Sequence, residues 1–292
     1  MTDSQPIYIG FNGYRLPATH WPTASASSLL AIHGARSDHH RLDPLLAALQ
    51  SLGTGCLAGS LSGHTVRSPL PLDQTSLARN LHEALRFADR LGPDLKAVFG
   101  HSLGGALAMK VAERHQSRVR TLILSGPALY PEAAFAVDAY GPAFTNAISH
   151  PFGFLDSASL RFLSRFDGRV VLVRGEYDGL PAHQHGGIAG RSAGQVRVSR
   201  PDGMGLDVYS PIPAEVFDAI AQAAAGRLNV ITLEECDHKL FDHLRQHPAT
   251  AAALAACLCE QMQATTAPHC WRIATDGQVI PAPVTPYPAS FD

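Results

Sequence analysis

The stretch Leu95–Met109 reads LKAVFGHSLGGALAM and joins two unlike patterns at one serine. Leu95, Ala97, Val98 and Phe99 form a short apolar run of the kind that makes a buried strand. After Gly104 the residues are small and helix-forming. Between the two lies Ser102, framed as G-x-S-x-G by Gly100 and Gly104. A strand followed at once by a helix needs a sharp turn, and side chains at the two glycine positions would collide with the neighbouring strand or helix. The pattern therefore predicts a strand-to-helix elbow that holds the Ser102 hydroxyl out at the top of a sheet.

Working outward, the flanks supply a sheet for that elbow. Upstream, Ile7–Phe11 and Tyr14–Trp21 are strand-like runs joined by Asn12-Gly13, a two-residue hairpin signal. Leu29–Ile32 is a short continuous apolar run, as expected of a strand covered on both faces, and it ends in His33-Gly34-Ala35-Arg36. Asp43–Leu52 has helical spacing, Thr54–Ala58 is a weaker strand candidate, and the loop after it carries Gly63-His64. Asp73–Leu91 predicts a long amphipathic helix with Leu77, Leu81, Leu85 and Ala88 on one face. Downstream, strands are expected at Val119–Leu124, Arg169–Arg174 and Leu228–Leu233, with helices at Ala214–Ala225 and Pro248–Met262. This alternation predicts an α/β fold of about eight strands, mostly parallel, with helices on both faces.

Two stretches break the rhythm. Residues 127–167 hold no clear strand but many aromatics, and are expected to form a small helical cap inserted in one domain spanning 1–292. Residues 179–210 include a Gly-, Arg- and Ser-rich portion, 186–205, too long for an ordinary connection and expected to be a mobile excursion. The proline-rich tail after Thr265 is read as an extended strap or a loose end.

Composition narrows the functional classes. With 23 Lys and Arg against 25 Asp and Glu, and no basic cluster, nothing points to nucleic acid or an anionic membrane. No apolar run approaches membrane-spanning length, and Met1–Pro6 lacks the basic-then-apolar order of a signal peptide. The five cysteines, Cys56, Cys236, Cys257, Cys259 and Cys270, have no C-x-x-C spacing. They fit reduced thiols in a cytoplasmic protein better than a disulfide or zinc framework. His183-x-His185 has a spacing that could bind a metal, but no third ligand accompanies it, so a solvated loop is expected. His39-His40 is read as surface. No cofactor is implied.

A serine hydroxyl becomes a nucleophile when a histidine takes its proton, and that histidine needs a carboxylate to fix its tautomer. In an open α/β sheet such groups belong just past the C-terminal strand ends. Asp178 and His238 stand at such positions, with Glu176 as a local competitor for the acid and His243 and His247 for the base. The order Ser, Asp, His is the one expected for this elbow type.

These motifs, His33-Gly34, Gly63-His64, GHSLGG at 100–105, Gly175–Asp178 and Asp237-His238, resemble the α/β-hydrolase superfamily over nearly the full chain. The resemblance implies Ser102 as nucleophile, Asp178 as acid and His238 as base. It further implies an oxyanion hole from the backbone N–H of Leu103 and of Ala35, or of Arg36. The expected reaction is hydrolysis of a carboxylic ester or thioester through an acyl-enzyme. GHSLGG also resembles the elbow of stand-alone thioesterases acting on carrier-bound acyl groups, and transfer to an acceptor other than water fits equally. A silent ligand-binding receptor on the same fold is the alternative from another class. Arg36, Phe135, Tyr140, Phe144 and Phe152 are candidate substrate contacts, although the cap aromatics could equally form the cap's own core. The partner would be a small acyl substrate, free or on a carrier protein.

Overall fold

The computed structural model describes residues 4–24, 28–200, 203–263 and 269–283. The chain opens with β1 (Gln5–Phe11) and β2 (Tyr14–Trp21), an antiparallel hairpin turning at Asn12-Gly13 with Gly13 at φ 86°. There follow β3 (Ser28–Ile32), α1 (Asp43–Ser51), β4 (Gly55–Gly59), α2 (Leu77–Leu91), β5 (Leu95–His101), α3 (Leu103–Arg114) and β6 (Thr121–Ser125). Three short helices come next: α4 (Glu132–Phe135), α5 (Pro142–Ala147) and α6 (Ala158–Arg165). The remainder is β7 (Arg169–Gly175), β8 (Gly194–Ser199), β9 (Gly205–Ser210), α7 (Ala214–Ala223), β10 (Leu228–Leu233), α8 (Leu240–Gln246), α9 (Pro248–Gln263), β11 (Cys270–Ile273) and β12 (Val279–Ala282).

Ten strands form one sheet in the order β1-β2-β4-β3-β5-β6-β7-β10-β11-β12. From β4 to β11 neighbouring strands run parallel; β1, β2 and β12 add antiparallel edges. Central strands are apolar throughout because both faces are covered. Leu30, Val98, Leu122, Leu124, Val170 and Leu172 enter one core with α2, α3, α6 and α7. The alternating Leu29, Ala97, Phe99, Ile123, Val171 and Val173 enter a second core with α1, α8 and α9.

Four expectations need correction. The sheet has more than the expected eight strands, because the tail supplies β11 and β12. Trp271 and Arg272 pair in register with Ile231 and Thr232 of β10; the tail residues 264–268 and 284–292, like Met1–Asp3, lie outside the described residues. The excursion is no structureless loop: β8 and β9 pair as an antiparallel hairpin from Gly194↔Ser210 to Ser199↔Gly205. Its alternation of Val196 and Val198 facing Val208 and Leu206 is diluted in the sequence by arginines and serines. Within 127–167, α6 packs beside α3 and α7 as a layer helix, with Phe162 and Leu163 fully buried, so only α4, α5 and the turn at Gly153–Asp156 stand apart from the layer. His39 is buried, its ring nitrogens bonded to Thr19 Oγ1 (3.0 Å) and Ser60 Oγ (2.7 Å); only His40 is exposed.

Candidate active site

The turn between β5 and α3 is as tight as the glycines require. A Cβ on Gly100 would lie 2.1 Å from the Gly104 carbonyl oxygen, and one on Gly104 would lie 2.2 Å from that of Ile32. Ser102 sits at φ 54°, ψ −121°, a backbone conformation costly for a residue with a Cβ. It occupies the N-cap position of α3 yet its side chain caps nothing, which leaves the hydroxyl free for other partners. The backbone N–H of Leu103 opens α3, where first-turn amides have no carbonyl partner within the helix.

Asp178 follows β7 and is 3% exposed. Its Oδ1 accepts from the Gly179 N–H (3.0 Å), and its Oδ2 lies 2.7 Å from Nδ1 of His238. A carboxylate at that distance makes Nδ1 the donor and leaves Nε2 with its lone pair. His238 follows β10; its ring stacks on His101 at 5.0 Å between centroids and meets the edge of Tyr209. Desolvation holds His101 well below the usual histidine range, with the neighbouring His238 a further cause, so a neutral ring lies against His238. The competitors point elsewhere. Glu176 accepts from the Glu235 N–H and pairs with Arg272, while His243 and His247 stack on each other along α8. Asp237 binds the N–H groups of Tyr209 and Lys239, as a loop residue does. Cys236 is buried, which pushes its thiol up, away from nucleophilic use.

The loop after β3 has a different support. Arg36 is left-handed at φ 54°, and its N–H is directed at Nδ1 of His64 (3.4 Å), so Ala35 is the amide left open beside Ser102. His64 donates from Nε2 to Asn80 Oδ1 (2.8 Å), which also accepts from the Tyr140 hydroxyl (2.8 Å). Asn80 in turn donates to Glu83, whose carboxylate also accepts from Tyr14 and from the Ser62 N–H and hydroxyl. Beneath the loop, His33 is locked between the Leu61 N–H and the Gly34 carbonyl, and burial takes it down to about 3. Sequence reasoning missed this polar scaffold; the His33-Gly34 and Gly63-His64 motifs were its visible traces.

Two cavities meet at Ser102. One, of about 280 Å³, is lined by Leu129, Tyr130, Phe154, Ile212 and Val216, with Ser149, His150, Arg191 and Ser192 among its polar atoms. The other, of about 180 Å³, is lined by Ala35, Arg36, His101, Ser102, His238 and Lys239. Arg36 thus borders the site, but four predicted contacts do not. Phe135 lies under the Lys110 ammonium, Tyr140 and Phe144 pack against each other, and Phe152 packs on Phe154. None of the four lines the larger cavity, because the aromatics of so short a segment are consumed in holding it together. The residues that line it instead, Tyr130, Phe154, Ile212 and Val216, come from the loop between β6 and α4, a 3₁₀ turn, the connection after β9 and the first turn of α7. The β8–β9 hairpin is likewise a part that sequence reasoning missed: Tyr209 accepts from the His238 N–H and Ser210 from the Leu180 N–H, bracing both strand-end loops. His183 and His185 lie exposed on a short 3₁₀ turn.

Comparison with known proteins agrees with this architecture. Residues 23–154 match the family model of serine aminopeptidase, S33. Over 128 residues the chain is 33% identical to the dihydrolipoyllysine-residue acetyltransferase component of the acetoin cleaving system of Cupriavidus necator. That match takes in 42% of this chain and spans about a third (32%) of the relative's length. Among solved structures, the thioesterase domain from the curacin biosynthetic pathway is 16% identical with a TM-score of 0.59, covering 88% of this chain and 100% of that one. Est1E of Butyrivibrio proteoclasticus with ferulic acid bound is 17% identical with a TM-score of 0.61, again over 88% and 100%. At these identities the likeness is one of fold.

Proposed function

We propose that the chain, which has the α/β-hydrolase fold and matches the serine aminopeptidase, S33 family model over residues 23–154, is a serine hydrolase cleaving a carboxylic ester or thioester through an acyl-enzyme. The observation that carries this reading is the 2.7 Å bond from buried Asp178 to His238, which lines the same cavity as Ser102. Ser102 Oγ attacks the carbonyl carbon while His238 Nε2 takes the hydroxyl proton, and Asp178 stabilises the imidazolium that results. The N–H groups of Ala35 and Leu103 hold the oxyanion. Collapse of the intermediate breaks the acyl–heteroatom bond, and His238 returns its proton to the departing alcohol or thiol. Water then attacks the acyl-enzyme by the same route, restoring Ser102. The larger cavity suits a small to medium acyl or aryl group.

A fluorophosphonate should label Ser102 stoichiometrically, and Ser102→Ala should lower turnover of p-nitrophenyl esters by about 10⁴-fold or more with the fold intact. Labelling elsewhere, or full activity in the alanine variant, would overturn the assignment. Absence of any acyl-enzyme burst would favour a ligand-binding receptor instead.

A further inference from the structure

From the way the two cavities divide the site, we infer that the substrate's leaving group carries a phosphate. This rests on the hydrolase reading above and extends it to substrate class. In the acylation step the Ser102 Oγ–acyl bond forms, the acyl–heteroatom bond breaks, and the heteroatom receives the proton held by His238. The leaving group must therefore sit where Ser102 and His238 share a wall. His238 borders the 180 Å³ cavity and not the 280 Å³ one. The smaller cavity is thus the leaving-group arm, and the larger, more apolar one takes the acyl group.

The leaving-group arm is cationic. Arg36, Arg41 and Lys239 line it, and it shares Arg36, Ser37 and Arg41 with an open cavity of about 340 Å³ whose other lining residues are His40, Thr65, Arg245 and one carboxylate, Asp38, which accepts from the His40 N–H. Two of these charges are engaged: Arg41 and Arg245 both pair with Asp242. The guanidinium of Arg36 and the ammonium of Lys239 are exposed and form no hydrogen bond or ion pair with any described residue. Isolated surface cations need no explanation; these two face the same cavity as the nucleophile and base. Arg36 is further held in the left-handed region, where a residue with a Cβ sits only under local constraint, here the hydrogen bond to His64. A guanidinium fork and an ammonium converging on one channel fit a phosphate, which accepts from both.

The test pairs substrates that differ only in the phosphate. Hexanoyl-4′-phosphopantetheine is compared with hexanoyl-pantetheine, and 1-hexanoylglycerol 3-phosphate with 1-hexanoylglycerol. The phosphorylated member of at least one pair should have a kcat/KM higher by about 30-fold. That ratio should fall about tenfold in Arg36→Ala/Lys239→Ala, and in the unaltered protein as salt rises from about 0.05 to about 0.5 M. Whichever pair responds tells a phosphopantetheine thiol from a simple phosphorylated alcohol. Equal or better turnover of the neutral member in both pairs overturns the inference while leaving the hydrolase reading in place. A protein inert on all four substrates, on p-nitrophenyl hexanoate and toward fluorophosphonate overturns the hydrolase reading itself, and the inference with it.

Discussion

Gly126 lies directly against the Asp178–His238 pair. It has φ 46°, its N–H donates to the Val173 carbonyl, and a Cβ there would lie 2.6 Å from Asp178 Oδ2 and 3.0 Å from His238 Nδ1. Gly126→Ala should therefore act on geometry more than on stability. We expect kcat to fall by about 10²-fold, with a loss of about 1–2 kcal/mol in urea unfolding from the left-handed backbone. Unchanged kcat would mean that the pair tolerates displacement. Asp178→Asn is the sharper change, because an amide that donates to Nδ1 selects the wrong tautomer; kcat on p-nitrophenyl esters should fall by about 10⁴-fold. At this scale the sequence was informative where chemistry is restrictive. A serine between glycines, and an aspartate and a histidine past strand ends, have few other reasons to stand there. Phe135, Tyr140 and Phe144 were illegible because an aromatic ring serves a core and a pocket equally well. Gly126 was invisible because a glycine has no chemistry to advertise.

Among the elements, α2 is predicted by its apolar stripe, yet its decisive residues are polar. Asn80 and Glu83 are fully buried on it, and Glu83 accepts four hydrogen bonds: from Tyr14, from the Ser62 N–H and hydroxyl, and from Asn80. All four groups facing it, from three residues, are donors, so Glu83→Gln turns one end of the group into a donor facing donors. It should cost about 2–3 kcal/mol in denaturant unfolding, and should also loosen His64 and the Ala35–Arg36 loop. Wild-type stability in this variant would show that the network adapts. The hairpin β8–β9 teaches a related lesson. Its exposed positions, Gln195, Arg197, Ser199 and Asp207, alternate with Val196, Val198, Leu206 and Val208, a short period-two pattern lost within the Gly-, Arg- and Ser-rich stretch that contains it. Strands β11 and β12 escaped notice because each is only four residues long and largely unburied, and Pro281 is tolerated because β12 is the sheet's outermost strand.

For the whole molecule, the parallel centre was legible because two cores demand apolar residues on both faces of every central strand, and length and register followed from that. The same double burial encloses polar groups, and it sets how stability responds to acid. His33, His39 and His64 are all under 8% exposed. Burial lowers each, His33 to about 3 and His39 to about 4. The unfolded chain protonates these rings near the ordinary histidine value of about 6.5, whereas the folded chain keeps them neutral, so below that pH the unfolded state binds more protons. Stability is therefore complete above about pH 6.5 and declines as pH falls toward 4, by about 1.4 kcal/mol per pH unit for each such ring. His39→Gln tests one ring. Its amide can keep a bond to Thr19 or Ser60, and it cannot titrate. The variant should start less stable at pH 7.5 and lose stability with a slope shallower by about 1.4 kcal/mol per pH unit between pH 6 and 4.5, measured by urea unfolding across that range. An unchanged slope would mean that His39 is protonated in the fold, and that the Thr19 and Ser60 hydroxyls, both able to accept, hold it as a cation.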